Sequence, residues 1–241
     1  MSKFKHISVA GTIGAGKSTL IKGISDRLDF INNRIGHGQM ETLTKWVHFE
    51  VLPEPHEVEG SESSKYAEDY FGTGGRSVSI AFQSAVLVDI RQQLSEAEAN
   101  AQKDRFTFAI SERCWLEAGI FWNFLRAKRI FEEQDLTLLS HTRETLFKDK
   151  TPDAFIWVEL SHVEAHKRAV ERTGGRNIAP LLTDFQLLEL EYKYFFKQIC
   201  KKVLDCGVSV GGEGQNVIAM QLAKMRNAGE LKFSKTYAHK G

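Results

Sequence analysis

The 241 residues suit one domain of ordinary size, and an apolar content of 42% is enough to build a full core. Thirty-two Lys and Arg against 31 Asp and Glu leave a formal net charge of +1, which argues against a nucleic-acid coat or a membrane-surface binder. Cys114, Cys200 and Cys206 form no CxxC pair, so a zinc site is excluded and a reduced compartment is expected.

The first element is a strand at "HISVA", residues 6–10, with Ile7 and Val9 apolar. It opens almost at once, leaving no room for a secretory leader, and no apolar run reaches about 18 residues. A cytoplasmic protein without a membrane span is expected. The strand runs into "GTIGAGKST", in which Gly11 is followed after four residues by Gly16, Lys17 and Ser18. A helix follows, with Leu20, Ile24 and Leu28 on one stripe. Strand, glycine loop and helix in this order form a phosphate cradle. Backbone N–H groups from Gly11 to Thr19, including those of Gly14, Ala15 and Gly16, turn toward phosphates, and the helix start attracts anions. Lys17 reaches the β- and γ-phosphates, and the Ser18 hydroxyl ligates Mg²⁺.

The second strand, "WVHFEVL", leads into Pro53-Glu54-Pro55. The two prolines stiffen the exit and keep Glu54 out of a helix, where its carboxylate can take a proton from an attacking hydroxyl. "FGTGGRS" is a loop, and Val78 to Ala101 is a helix carrying Gln83 within an apolar run. The Gln83 amide can donate and accept side by side, which matches the edge of a nucleobase and equally a buried polar partner. The third strand, "FTFAIS", ends in Glu112-Arg113. An acid placed there organises Mg²⁺, and an arginine beside it can neutralise a transferring phosphoryl group. A helix is expected from Cys114 to Glu132, then a strand at "AFIWVEL" and a helix at "VEAHKRAVERT". Arg168 and Arg172 share a face of that helix, and Gly174-Gly175 lets the chain bend before Arg176, as a closing lid requires. A helix from Pro180 to Val203, a strand at "GVSVG" and a helix from Gln215 to Arg226 complete the pattern.

Strands alternating with helices imply an α/β fold, a five-stranded parallel sheet with helices on both faces and an arginine-bearing lid at about 168–180. One P-loop domain is expected over 1–227, and 228–241 reads as a basic, solvated tail. Ligands in such sheets gather beyond the carboxyl ends of the strands.

The ordered set of P-loop, Glu54-Pro55, Phe82-Gln83, Glu112-Arg113 and lid arginines resembles the deoxynucleoside kinase family. The resemblance implies ATP-dependent phosphorylation of a deoxynucleoside 5′-hydroxyl with Mg²⁺, and a homodimer. By position, Glu54 is then the general base and Arg113 steadies the phosphoryl group, with Lys17 on the phosphates and Glu112 near Mg²⁺. Gln83 holds the base edge, Phe82 and Trp122 pack on its face, Tyr70 meets the 3′-hydroxyl, and Ile13, Val86 and Ala118 complete the pocket. This chain departs from the family by His56 after the Glu-Pro pair and by the longer lid "RTGGRNIAPLLTD". Relatives that take deoxycytidine or purines tend to place charges where this chain has Ile90 and Ala118. Apolar residues there suit the 5-methyl of thymine, so a pyrimidine is expected. The apolar stripes of "CWLEAGIFWNFLRAKRIF" are also consistent with dimerisation. A thymidylate-type kinase shares the cradle and lid but needs no general base. A GTPase needs an Asn-Lys-x-Asp reader, and none occurs.

Overall fold

A computed structural model describes residues 4–34, 47–72, 74–101, 106–148, 150–172, 181–202, 207–212 and 215–221. Four strands run parallel: β1 (Phe4–Ala10), β2 (Val47–Leu52), β3 (Phe106–Glu112) and β4 (Ala154–Glu159). Two more, β5 (Gly207–Gly212) and β6 (Gln215–Gln221), extend the sheet as an antiparallel pair, giving the order β2-β3-β1-β4-β6-β5.

The expected five-stranded parallel sheet is therefore four parallel strands with an antiparallel hairpin at one edge. "GVSVG" does form a strand, but its neighbour β6 lies where a helix was expected over Gln215 to Arg226. Only two residues separate β5 from β6, a hairpin length that cannot make a parallel crossover. Val217 and Ile218 are β-branched and suit the strand.

Seven α-helices are seen among the described residues: α1 (Lys17–Arg34), α2 (Ser64–Gly72), α3 (Arg76–Asn100), α4 (Ala118–Ala127), α5 (Glu133–Phe147), α6 (His162–Arg172) and α7 (Leu182–Lys202). The single helix expected from Cys114 to Glu132 is shorter, starting at Ala118 and ending at Ala127. Arg129 takes φ +59°, Ile130 N–H reaches back to Leu125 O at 2.9 Å, and Arg129 N–H reaches Arg126 O at 2.8 Å. That left-handed cap terminates α4. The Asp135 carboxylate accepts the Glu132 N–H at 2.7 Å and starts α5, for which the sequence reading had no helix.

Both faces of the sheet are covered. Val9 and Val158 pack with Ile21 of α1 and Ala165 of α6 on one side. Ala10 and Phe155 pack with Leu87 of α3, Trp122 of α4, Leu139 of α5 and Tyr192 of α7 on the other. Burial on both faces explains why these strands read as continuous apolar runs. The apolar stripes of α4 and its lead-in find cover inside the chain: Trp115 stacks on Phe147 at 5.1 Å, and Phe121 meets Tyr192 edge-on. No described helix is long and apolar enough to cross a membrane. Residues 173–180, with Arg176, and the tail at 228–241 lie outside the described residues.

Candidate active site

The register aligns the carboxyl ends of three strands: Leu52 of β2 is level with Ser111 of β3, and Val9 of β1 is level with Glu112. Whatever follows each strand therefore opens on the same edge. After β1 comes the glycine loop. Gly14 has φ +79°, and a Cβ there would stand 2.7 Å from Ala165 O; one on Gly11 would stand 2.6 Å from Val158 O. Bare backbone is required at both positions, which keeps the loop wrapped tightly against β4 and α6.

Lys17 opens α1 and is buried, donating to Thr12 O at 3.0 Å and lying 3.5 Å from the Glu112 carboxylate. Burial lowers its pKa, and Arg113 lowers it further against the pull of Glu112, Glu54 and Glu117. Ser18 donates its hydroxyl to the other Glu112 oxygen at 2.7 Å. A hydroxyl and a carboxylate converging beside the cradle are the hard oxygen donors that Mg²⁺ takes, usually with waters and phosphate oxygens. Glu54, His56 and Glu57 also bring three ligand atoms within 4.8 Å of one another. Glu54 is already engaged by Arg113, so that set suits a cation less well.

After β2, Glu54 is extended (φ −62°, ψ 127°) and caps the short 3₁₀ turn Pro55–Glu57. Its carboxylate lies 3.4 Å from Arg113 Nη1 and 3.9 Å from His56 Nδ1. Burial pushes this carboxyl up, but Arg113, His56, Lys17 and Arg172 outweigh it and hold the pKa below its ordinary value. Glu54 is thus ionised at neutral pH. After β3, Arg113 takes φ +69°, unusual for a non-glycine residue, with its N–H on Val9 O at 3.0 Å. Burial lowers its pKa, and the charges of Glu54, Tyr192, Glu117 and Glu112 more than reverse that. Its guanidinium lies 4.4 Å over the Phe121 ring, with Nε buried and without a hydrogen-bond partner.

On the other side lies an aromatic cluster. Trp122 Nε1 donates to Gln83 Oε1 at 3.1 Å, and Gln83 Nε2 donates to Tyr70 OH at 3.4 Å. Because the indole can only donate, it fixes which way the Gln83 amide points. Tyr70 stacks on Phe82 at 4.1 Å, and His56 meets Phe82 and Phe71. His56 therefore links Glu54 to this cluster. Ile90 and Ala118 are buried in the same apolar cluster, against which Ile13 and Val86 also pack. Arg91 is tied to Ser95 on its own helix at 2.6 Å.

Of the lid arginines, Arg172 reaches Glu54 through its charge, while Arg168 pairs with Glu164 at 3.0 Å. Three residues escaped the sequence reading. Asp89 is buried on α3 and accepts the N–H groups of Glu62 (3.0 Å) and Ser63 (2.8 Å), anchoring the start of α2. Glu117 is 1% exposed beneath the strand ends. Each is a lone acid in an apolar stretch, the one signal that could have found them. Arg143 of α5 lies 5.2 Å over Trp122, and nothing in its polar helix marked it.

A phosphate cradle, a Ser–Glu pair beside it and an Arg–Glu pair at the next strand ends define a P-loop phosphotransferase. The deoxynucleoside kinase family profile matches residues 7–204, and the chain belongs to that family; it is a kinase that phosphorylates a deoxynucleoside. No curated protein sequence matches the chain. Among solved structures, deoxyadenosine kinase from M. mycoides with bound dATP is 23% identical, TM-score 0.59, covering 80% of this chain and 84% of that one. The same figures hold for that enzyme with the products dCMP and a flexible dCDP. With bound dCTP it gives 21% identity, TM-score 0.55, and coverage of 81% and 85%. At these identities the likeness shows the fold.

Proposed function

We propose that this kinase moves the γ-phosphoryl group of ATP to the 5′-hydroxyl of a pyrimidine deoxynucleoside, thymidine or deoxyuridine first. The observation that carries this reading is a series of contacts from the cradle to the aromatic side, in two parts joined where Glu112 and Arg113 adjoin in the chain. Lys17 meets Glu112, Glu54 meets Arg113 and His56, and His56 leads through Phe82 and Tyr70 to Gln83 and Trp122.

In this reading the 5′-hydroxyl gives its proton to Glu54 as its oxygen attacks the γ-phosphorus, and the bond to the leaving ADP oxygen breaks. A carboxylate held below its ordinary pKa is a weak base, so Glu54 acts by position and takes the proton late, as the attacking oxygen becomes acidic. Arg113, paired with Glu54 in the free enzyme, turns its donors to the transferring group. Lys17 holds the phosphates, and Arg172 and Arg168, with Arg176, close over the donor. Ser18 and Glu112 would hold Mg²⁺, which supplies charge neutralisation on the β- and γ-phosphates. Gln83 keeps one free lone pair and one free hydrogen, enough to accept from N3–H and donate to O4 of thymine. Tyr70 then meets the sugar, and Ile90 and Ala118 leave an apolar wall for the 5-methyl group. We further assign the enzyme to the cytoplasm as a homodimer.

A second reading, deoxyadenosine or deoxycytidine, is favoured by Arg143 over Trp122, a cation beside an otherwise apolar wall. One assay separates the two: Mg²⁺ and ATP with each deoxynucleoside and each monophosphate. Faster turnover of thymidine than of deoxyadenosine, with the monophosphates inert, is expected. The reverse order of the two nucleosides overturns the pyrimidine assignment, and light scattering at micromolar concentration tests the dimer.

A further inference from the structure

Glu117 begins α4 with its carboxylate enclosed by three elements. Its Oε2 accepts the Cys114 N–H at 3.0 Å and the Ser8 hydroxyl of β1 at 3.4 Å. Its Oε1 accepts the Tyr192 hydroxyl of α7 at 3.1 Å. The Cys114 N–H belongs to the same peptide plane as the Arg113 carbonyl, and Ser111 Oγ donates to that carbonyl at 2.7 Å. Both edges of one peptide plane are therefore pinned, one by Ser111 and one by Glu117. That plane sets ψ of Arg113, the residue at φ +69°.

We propose that Glu117 is the positioning residue for Arg113: through this pinned peptide and its charge it holds the guanidinium ready for the phosphoryl group, touching neither substrate. The inference rests on the kinase reading above. The charged and titratable groups facing Glu117 are Arg113 and Lys17, which favour its ionised form, the Tyr192 hydroxyl, which donates to it, and the nearby Cys114 thiol, whose backbone N–H also donates to it. Glu54 and Glu112 act on the same two cations. Burial outweighs all of these and pushes the Glu117 carboxyl up to about 7 from its ordinary 4.5. Around neutral pH it therefore changes charge. When ionised it binds the Cys114 N–H by a charge-assisted bond and draws on Arg113; when protonated it loses both effects. In the free enzyme the Glu54 carboxyl is held low against the push of burial, chiefly by Arg113.

The test is the dependence of kcat on pH, with the best deoxynucleoside and MgATP both saturating. In the unaltered enzyme kcat falls as pH drops below about 7. In Glu117→Gln that limb disappears, and kcat at high pH is about 10-fold lower, the loss of one charge-assisted bond. KM for the nucleoside stays near its original value. Tyr192→Phe removes a donor that favours the ionised form, so its limb moves to higher pH; this variant decides the matter if Glu117→Gln does not fold. His56→Gln is run in parallel as a control, since His56 Nδ1 lies 3.9 Å from the Glu54 carboxylate. A limb that survives in Glu117→Gln, or vanishes in His56→Gln, overturns the proposal. Absence of turnover by the unaltered protein with every nucleoside would fall on the kinase reading, and a melting arm then decides here. The folded protein keeps a proton on Glu117 that the unfolded chain releases, so stability falls as pH rises from 4.5 toward about 7. Glu117→Gln should lose that slope, and parallel melting profiles would overturn the proposal.

Discussion

The phosphate half of the site and the base half are built by opposite means. The phosphate half hangs on strand ends whose register is fixed by the sheet, and its residues are charged: Lys17 pairs with Glu112 at 3.5 Å, and Arg113 pairs with Glu54 at 3.4 Å. The base half is assembled from α2, α3 and α4, and its residues are aromatic or amide: Tyr70, Phe82, Gln83 and Trp122. Sheet register leaves little freedom, whereas helix faces can be recombined. In the proposed function the chemistry would therefore reside on the rigid part, and the choice of base on the adjustable part.

That division can be broken at three points. The largest effect belongs to Lys17→Ala, which removes the cation on the phosphates. Turnover should fall by about 10³-fold or more, with nucleoside binding by calorimetry unchanged. A normal rate in a variant with an unaltered melting curve would remove the phosphate half from catalysis. Next is Glu54→Gln, at the junction of the halves. Loss of a general base should lower kcat by roughly 10²-fold, while binding of both substrates persists. Near-normal turnover would make Glu54 a partner of Arg113 and nothing more. The smallest effect comes from Ile90→Arg with Ala118→Asp, confined to the base half. It should shift preference from thymidine toward deoxycytidine or deoxyadenosine by about 1–3 kcal/mol, the scale of a one-methyl contact. Comparing kcat/KM across nucleosides checks this, and an equal loss with all of them would show damage to the phosphate half as well.

The two halves also differ in how much the chain discloses before folding. The cradle is contiguous, and Gly14 and Gly16 lie where only backbone conformation decides, so "GTIGAGKST" reads without tertiary information. Glu54 and Glu112-Arg113 are legible because each ends an apolar run. The base half depends on helices that the apolar pattern did not resolve. α2 buries no residue fully, so it has no stripe to read. α5 is divided from α4 by the left-handed Arg129, a position with no glycine to betray it. β6 fits helical and strand spacing equally well, and only the tight link from β5 decides between them. Glu117 lies beyond sequence reading because its meaning depends on Ser8 and Tyr192, which sit 109 and 75 residues away.

The weak anchoring of α2 has a kinetic consequence. Among the described contacts, this segment is held to α3 chiefly by the two bonds from Asp89 and by Tyr70 against Phe82, and its Phe71 is 57% exposed. Segments with few buried contacts open at the lowest free-energy cost. If nucleoside binds as proposed, α2 would be the element that opens to release it, while the strand ends stay assembled on the sheet. Residence time of the product, and with it the ceiling on turnover, would be written into Asp89 and Phe82 rather than into any residue that handles phosphate.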